Sequence, residues 1–84
     1  MSSISFDDLK AVIGRCIGEA DGHEITEGDL GTPFTDLGYD SLAVLEIASQ
    51  LQREYGLKIP DEAIESMESP QAVIDYVNTS LAAV

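Results

Sequence analysis

Basic residues are scarce in this chain: Lys and Arg together number 4 against 16 Asp and Glu, for a formal net charge of −12. Such a balance disfavours binding to a nucleic-acid backbone or an anionic membrane by simple repulsion. It suits steering towards basic patches on partner proteins, although part of it serves only as a solvated surface. Cysteine is nearly absent. The single Cys16 rules out an intramolecular disulfide and any zinc site built from cysteines. The one histidine, His23, sits in a glycine-rich stretch with no recognisable partner pattern, and no metal site is expected. A Ser-His-acid triad can be assembled from residues distant in sequence. Here, however, no strand–turn–helix elbow is present, and so short a chain has little capacity for an enclosed site. Long apolar runs are also missing, and Met1-Ser2-Ser3 opens no basic or apolar segment. Neither a transmembrane helix nor a signal peptide is expected, and the cytoplasm is the expected address. Asn78-Thr79-Ser80 matches a glycosylation acceptor formally, but the match carries no meaning without a secretory signal.

What is present suffices for one small domain spanning 1–84. Hydrophobic residues make up 44% of the chain, which argues against disorder despite the charge. A chain of this length buries roughly 60% of its unfolded surface, enough for one modest core. The pattern predicts an all-α fold, a small four-helix bundle of three main helices and one short helix with a long first connector. Ser5 can cap the first helix, with Asp7 and Asp8 in the turn where the dipole favours acid. At about 100° per residue, Leu9, Val12, Ile13, Cys16 and Ala20 form one stripe with Phe6 at its edge. Cys16 on that stripe is expected to be a buried, inert thiol. Gly14 and Gly18 lie off the stripe, and the helix is expected to end near Ala20–Gly22.

Residues 21–36 are punctuated by Gly22, Gly28, Gly31 and Pro33. A structureless loop of that length is unusual in a compact domain. We therefore expect a packed connector anchored by Ile25, Leu30, Phe34 and, just beyond it, Leu37. A calcium loop is excluded, since Ile25 and Thr32 fall on ligand positions and the central glycine is missing. A second helix is expected from Ser41 to Tyr55, burying Val44, Ile47, Ala48, Leu51 and Tyr55, with Gly56 as its stop. Leu42 and Leu45 fall off that stripe, beside Glu46 and Ser49. They form either a contact surface for partners or a bound apolar group, or an area covered by the preceding loop. Leu57-Lys58-Ile59-Pro60 reads as an extended link, and Asp61 to Met67 as one or two helical turns. Ser69-Pro70 is a strong helix start, and the last helix is expected to bury Val73, Tyr76 and Val77, with Leu81 near its end.

The most informative stretch is Phe34-Thr35-Asp36-Leu37-Gly38-Tyr39-Asp40-Ser41-Leu42. Gly38 allows a sharp turn, and Asp40 or Ser41 can accept hydrogen bonds from the first helical N–H groups. A serine hydroxyl is thereby presented at a helix N-terminus, where unpaired N–H groups and the dipole favour a phosphate. An isolated Asp-Ser-Leu would read as a plain cap. Here it sits mid-chain in a short, acidic, helical protein, with Glu46 five residues beyond the serine and Ile59-Pro60-Asp61-Glu62 after the long helix.

That combination, from Phe6 to about Leu81, resembles the acyl carrier proteins. Its Gly-Tyr-Asp-Ser-Leu form is most similar to the discrete carriers of type II, aromatic polyketide synthases. The resemblance implies a non-catalytic carrier on which a phosphopantetheinyl transferase places 4′-phosphopantetheine, covalently, at Ser41. Asp40 and Leu42 would be the flanking motif residues, with Asp40 helping to place magnesium or to orient the transferase. The arm's thiol would hold malonyl units and the growing polyketide as thioesters, and tethering would raise their effective concentration at each active site. The implied partners are a ketosynthase with its chain-length factor, a malonyl-transfer activity, a ketoreductase and cyclases, served by a monomeric carrier. Glu46, Leu45, Asp36, Asp61 and Glu62 are the implied partner contacts. Gln50, Gln52 and Arg53 stand where some fatty-acid carriers run nearly continuous acid. The alternatives are a fatty-acid carrier, a peptidyl carrier, and an unmodified acidic adaptor or nucleic-acid mimic in which Ser41 is only a cap.

Overall fold

Local signals set the helix boundaries in the computed structural model, which describes residues 3–17 and 25–82. Helix α1, Phe6–Ile17, begins on a reciprocal cap. The Asp8 carboxylate accepts from the Ser5 N–H at 2.9 Å, and the Asp8 N–H donates to Ser5 Oγ at 3.4 Å. Helix α2, Ser41–Tyr55, has the bounds its sequence implies and stops at Gly56, whose φ of 67° is the left-handed conformation glycine adopts without strain. Helix α3, Asp61–Glu65, is a single short piece after the extended Leu57–Pro60 link. The link is held by Gln52, whose side-chain oxygen accepts from the Ile59 N–H at 3.1 Å. Helix α4, Pro70–Ala82, starts as Ser69-Pro70 dictates, with Ser69 Oγ accepting from the Ala72 N–H at 3.3 Å. No strand occurs among the described residues.

Helix α1 packs on α2 and α4, and α2 meets α3. Leu9, Val12 and Ile13 of α1 meet Val44, Ile47, Ala48 and Leu51 of α2 and Val73, Ile74 and Val77 of α4 in one core. The radius of gyration, 11.8 Å, is that of a compact chain of this length. Connector residues Ile25, Phe34 and Leu37 are buried as expected, and Leu30 is half-buried. A 3-10 turn at Glu27–Asp29 organises the connector, its Asp29 carboxylate accepting from the Thr26 N–H at 2.9 Å. The connector is then stitched to the approach to α4: Phe34 N–H donates to the Glu68 carbonyl at 2.7 Å and Gln71 N–H to the Leu30 carbonyl at 2.9 Å.

Four expectations need correction. Ile74 is buried and Tyr76 only half-buried, because Pro70, Val73, Ile74 and Val77 make the i, i+3, i+4, i+7 face that α4 turns inward. Tyr55 and Leu81 flank the core at their helix ends without full burial. Cys16 is half-buried at the edge between α1 and α2 and is not a core residue. Core residues outside the expected stripes are Ile4, Tyr39, Ile59 and Met67. Ile4 is drawn in by Asn78, whose side chain accepts from the Ile4 N–H at 2.7 Å and donates to its carbonyl at 3.1 Å. The expected end of α1 at Ala20–Gly22, together with Gly18, Ala20 and His23, lies outside the described residues.

Candidate functional site at the start of helix two

The turn ahead of α2 is built to hold one hydroxyl in the open. Phe34 to Gly38 wind through successive turns, with Leu37 N–H donating to Phe34 O at 3.0 Å and Gly38 N–H to Thr35 O at 3.2 Å. Gly38 takes a φ of 87°, where a side chain would be strained, and this reverses the chain. Tyr39 then drops into the core and stacks on Phe34, with ring centroids 5.8 Å apart and planes 29° from parallel. With Leu37 and Tyr39 buried on either side of the glycine, the next residues are forced outward.

Asp40 is the N-cap, in extended conformation, its Oδ1 accepting from the Ala43 N–H at 2.9 Å. Its carbonyl accepts from the Val44 N–H at 3.2 Å. Ser41 is therefore the first helical residue and not the cap. Its side chain is exposed, and among the described residues its hydroxyl has no hydrogen-bond partner. The N–H groups of Ser41 and Leu42 likewise have no acceptor among the described residues, leaving two donors beside the hydroxyl at the positive end of a 15-residue helix. An exposed nucleophilic oxygen next to two unpaired N–H groups fits a phosphodiester, because these donors can receive its non-bridging oxygens.

Down the same outward side of α2 lie Leu42, 62% exposed, Leu45, 43% exposed, and the exposed Glu46. The preceding loop does not cover the leucines. Asp36 is exposed on the turn before α2, and Asp61 and Glu62 are exposed on the first turn of α3. No hydrogen bond or ion pair among the described residues links these three acids to the Leu42–Glu46 strip. At the far end of the helix pair, Arg15 Nη2 reaches both Glu54 carboxylate oxygens at 2.6 and 2.7 Å, and Gln50 supports Glu54 at 3.0 Å. Those hydrogen bonds hold the Glu54 carboxyl below, and Arg15 above, their ordinary pKa values. Sequence reasoning missed a groove of about 320 Å³ lined by Cys16, Leu45, Glu46, Ser49 and Arg53. The spacing Glu46-x6-Arg53, about two helical turns, was the available signal.

Residues 7–77 match the family model for the phosphopantetheine attachment site. The chain is 38% identical over 79 residues to the actinorhodin polyketide synthase acyl carrier protein of Streptomyces coelicolor, covering 94% of this chain and 92% of that one. To the granaticin polyketide synthase acyl carrier protein of Streptomyces violaceoruber it is 37% identical over 78 residues, covering 93% and 92%. This chain belongs to the polyketide synthase acyl carrier proteins. The solution structure of the acetyl actinorhodin carrier superposes with a TM-score of 0.86 at 35% identity, covering 98% of this chain and 95% of that one. As a member of this family the chain is a non-catalytic carrier whose prosthetic group is covalent phosphopantetheine, and it works with synthase enzymes. Membership sets aside the adaptor and nucleic-acid-mimic alternatives and favours polyketide over fatty-acid chains. No helix among the described residues is long and apolar enough to cross a membrane.

Proposed function

We propose that Ser41 is the attachment site for 4′-phosphopantetheine and that residues 1–84 act as one carrier domain. The reading rests on the exposed Ser41 hydroxyl beside the two N–H groups that open α2, all three without a hydrogen-bond partner among the described residues. The attached group supplies a thiol on which malonyl units and the growing polyketide ride as thioesters. The chain's own residues do the rest. Asp40 caps α2 and so fixes the direction in which Ser41 Oγ points, and its outer carboxylate oxygen is available to a transferase or its magnesium. The N–H groups of Ser41 and Leu42 stabilise the anionic ester. Tyr39 and Leu37 hold the turn rigid from below.

Leu45 and Glu46, with Asp36, Asp61 and Glu62 as outlying acids, form the contact face for partners. Those partners are a phosphopantetheinyl transferase, a ketosynthase with its chain-length factor, a malonyl-transfer activity, a ketoreductase and cyclases. The carrier serves them as a cytoplasmic monomer.

The core is filled by Val44, Ile47, Leu51 and their neighbours, leaving a chain of this size little room for a long saturated acyl group. The test loads the protein with malonyl or octanoyl groups and offers each to matched polyketide and fatty-acid ketosynthases. Efficient malonyl delivery to the polyketide pair with poor fatty-acid elongation is expected. Preference for the fatty-acid enzymes, with the saturated chain deep in the bundle by NMR, would contradict the reading.

A further inference from the structure

At every fourth position from its first residue, α2 carries Ser41, Leu45, Ser49 and Arg53. Residues so spaced advance only about 40° round a helix at each step, so the four form one continuous row. The last three line the groove of about 320 Å³, together with Glu46 and, across from them on α1, Cys16. The groove thus opens one turn beyond Ser41 and ends roughly 18 Å from it along the axis. Cys16 Sγ donates to the Glu46 carbonyl at 3.6 Å, which fixes the α1 wall. The lining changes character along its length. Leu45 is apolar and 43% exposed, Glu46 offers a carboxylate, and Ser49 is half-buried. Arg53, at the far end, is exposed and makes no ion pair among the described residues.

We propose that this groove between α1 and α2 is an intramolecular resting site for the protein's own loaded arm, with Arg53 receiving the carboxylate of a malonyl thioester. The inference rests on the reading of Ser41 as the loaded residue. Length supports this occupant. From the serine oxygen to its sulfur the arm has about as many bonds as five extended residues, and so spans roughly 17 Å. Laid back along the row, it reaches from Ser41 to the Arg53 end. Its groups then come in matching order: the two methyl groups of the pantoyl unit by Leu45, the amides by Glu46 and Ser49, and the thioester towards Arg53. An apolar wall with a few placed polar groups is the usual make-up of a small-molecule site. Charge selects the cargo. On a surface of net charge −12 a carboxylate is repelled almost everywhere, and Arg53 is the cation among the groove's lining residues. A malonyl group gains an ion pair there, whereas an acetyl group on the same arm does not.

The test compares apo, acetyl-loaded and malonyl-loaded protein by NMR and by alkylation of Cys16, with the thioester blocking the arm's own thiol. Malonyl loading should shift the amide signals of Leu45, Ser49, Arg53 and Cys16, and should give contacts between the arm's methyl groups and the Leu45 methyls. Iodoacetamide labelling of Cys16, located by peptide mapping, should be at least about threefold slower in the malonyl form than in the apo form. The shift at Arg53 should be smaller with acetyl. Arg53→Gln, folded by circular dichroism, should make malonyl and acetyl forms alike. Shifts confined to the surroundings of Ser41, shifts on the α3 side of α2 instead, or equal labelling of apo and malonyl protein overturn the resting site. Equal responses to malonyl and acetyl in the wild type overturn the role of Arg53. Intact mass is recorded on every sample, so that failure of wild-type loading counts against Ser41, whereas a loaded protein with an empty groove counts against the groove alone.

Discussion

At the residue scale the site depends on a division of labour between neighbours. Asp40 closes the helix while Ser41, one position on, keeps its hydroxyl exposed, with no hydrogen-bond partner among the described residues. Asp40→Ala should therefore lower stability in urea by about 0.5–2 kcal/mol, the usual worth of such a cap. Asp40→Asn should retain most of that stability, and a loss of transferase rate in that variant would isolate the role of the carboxylate charge. If Asp40→Ala were as stable as wild type, the cap would carry no weight. Cys16 provides a second check. Burial, then the nearby carboxylates of Glu46 and Glu54, push its thiol above the ordinary range. The neutral thiol thus persists at pH 7, and iodoacetamide should label it more slowly than a free cysteine, accelerating only above the usual thiol range. Labelling as fast as glutathione at neutral pH would contradict that placement. Sequence alone offered Asp40 and Ser41 as equal cap candidates, since either side chain can reach the same N–H groups and only the turn at Gly38 decides between them.

At the scale of elements, α2 was legible to its end residues because three independent signals agree: a capping acid, an unbroken helical stripe and a left-handed glycine. Its inward residue Leu51 is fully buried where the helix packs on the core. Leu51→Ala should cost about 2–5 kcal/mol in chemical denaturation, whereas Leu42→Ala, at 62% exposure, should change stability by no more than ~0.5 kcal/mol. Equal losses for the two would mean that the inner and outer faces are misassigned. What was illegible is tertiary in origin. Ile4 lies before any helix, packs in the core, and is held there by Asn78, far along the chain, which binds its backbone. Tyr39 is buried because Phe34 offers a ring to stack on. The groove needs α1 beside α2, a pairing that periodicity within either helix does not encode.

For the whole molecule, charge and exposure act together. A net charge of −12 attracts basic partners over distance, and added salt should lower the association rate with a synthase enzyme more than it raises the dissociation rate. Stopped-flow association that ignores ionic strength would remove steering from the account. The all-α architecture, the serine motif and the outward leucines were all open to sequence reasoning, because each follows from local pattern. Which outward residues meet a partner depends on surfaces that this chain does not contain. The central claim concerns one oxygen atom, and intact-protein mass spectrometry reaches it directly. Wild type and Ser41→Ala are exposed to coenzyme A and a broad-specificity phosphopantetheinyl transferase under the same conditions. The wild type should gain the mass of one phosphopantetheinyl group, and the Ala variant, equally folded by circular dichroism, should gain none. Modification of the Ala variant, or no gain in the wild type with a transferase proven active on another carrier, would contradict the assignment of Ser41.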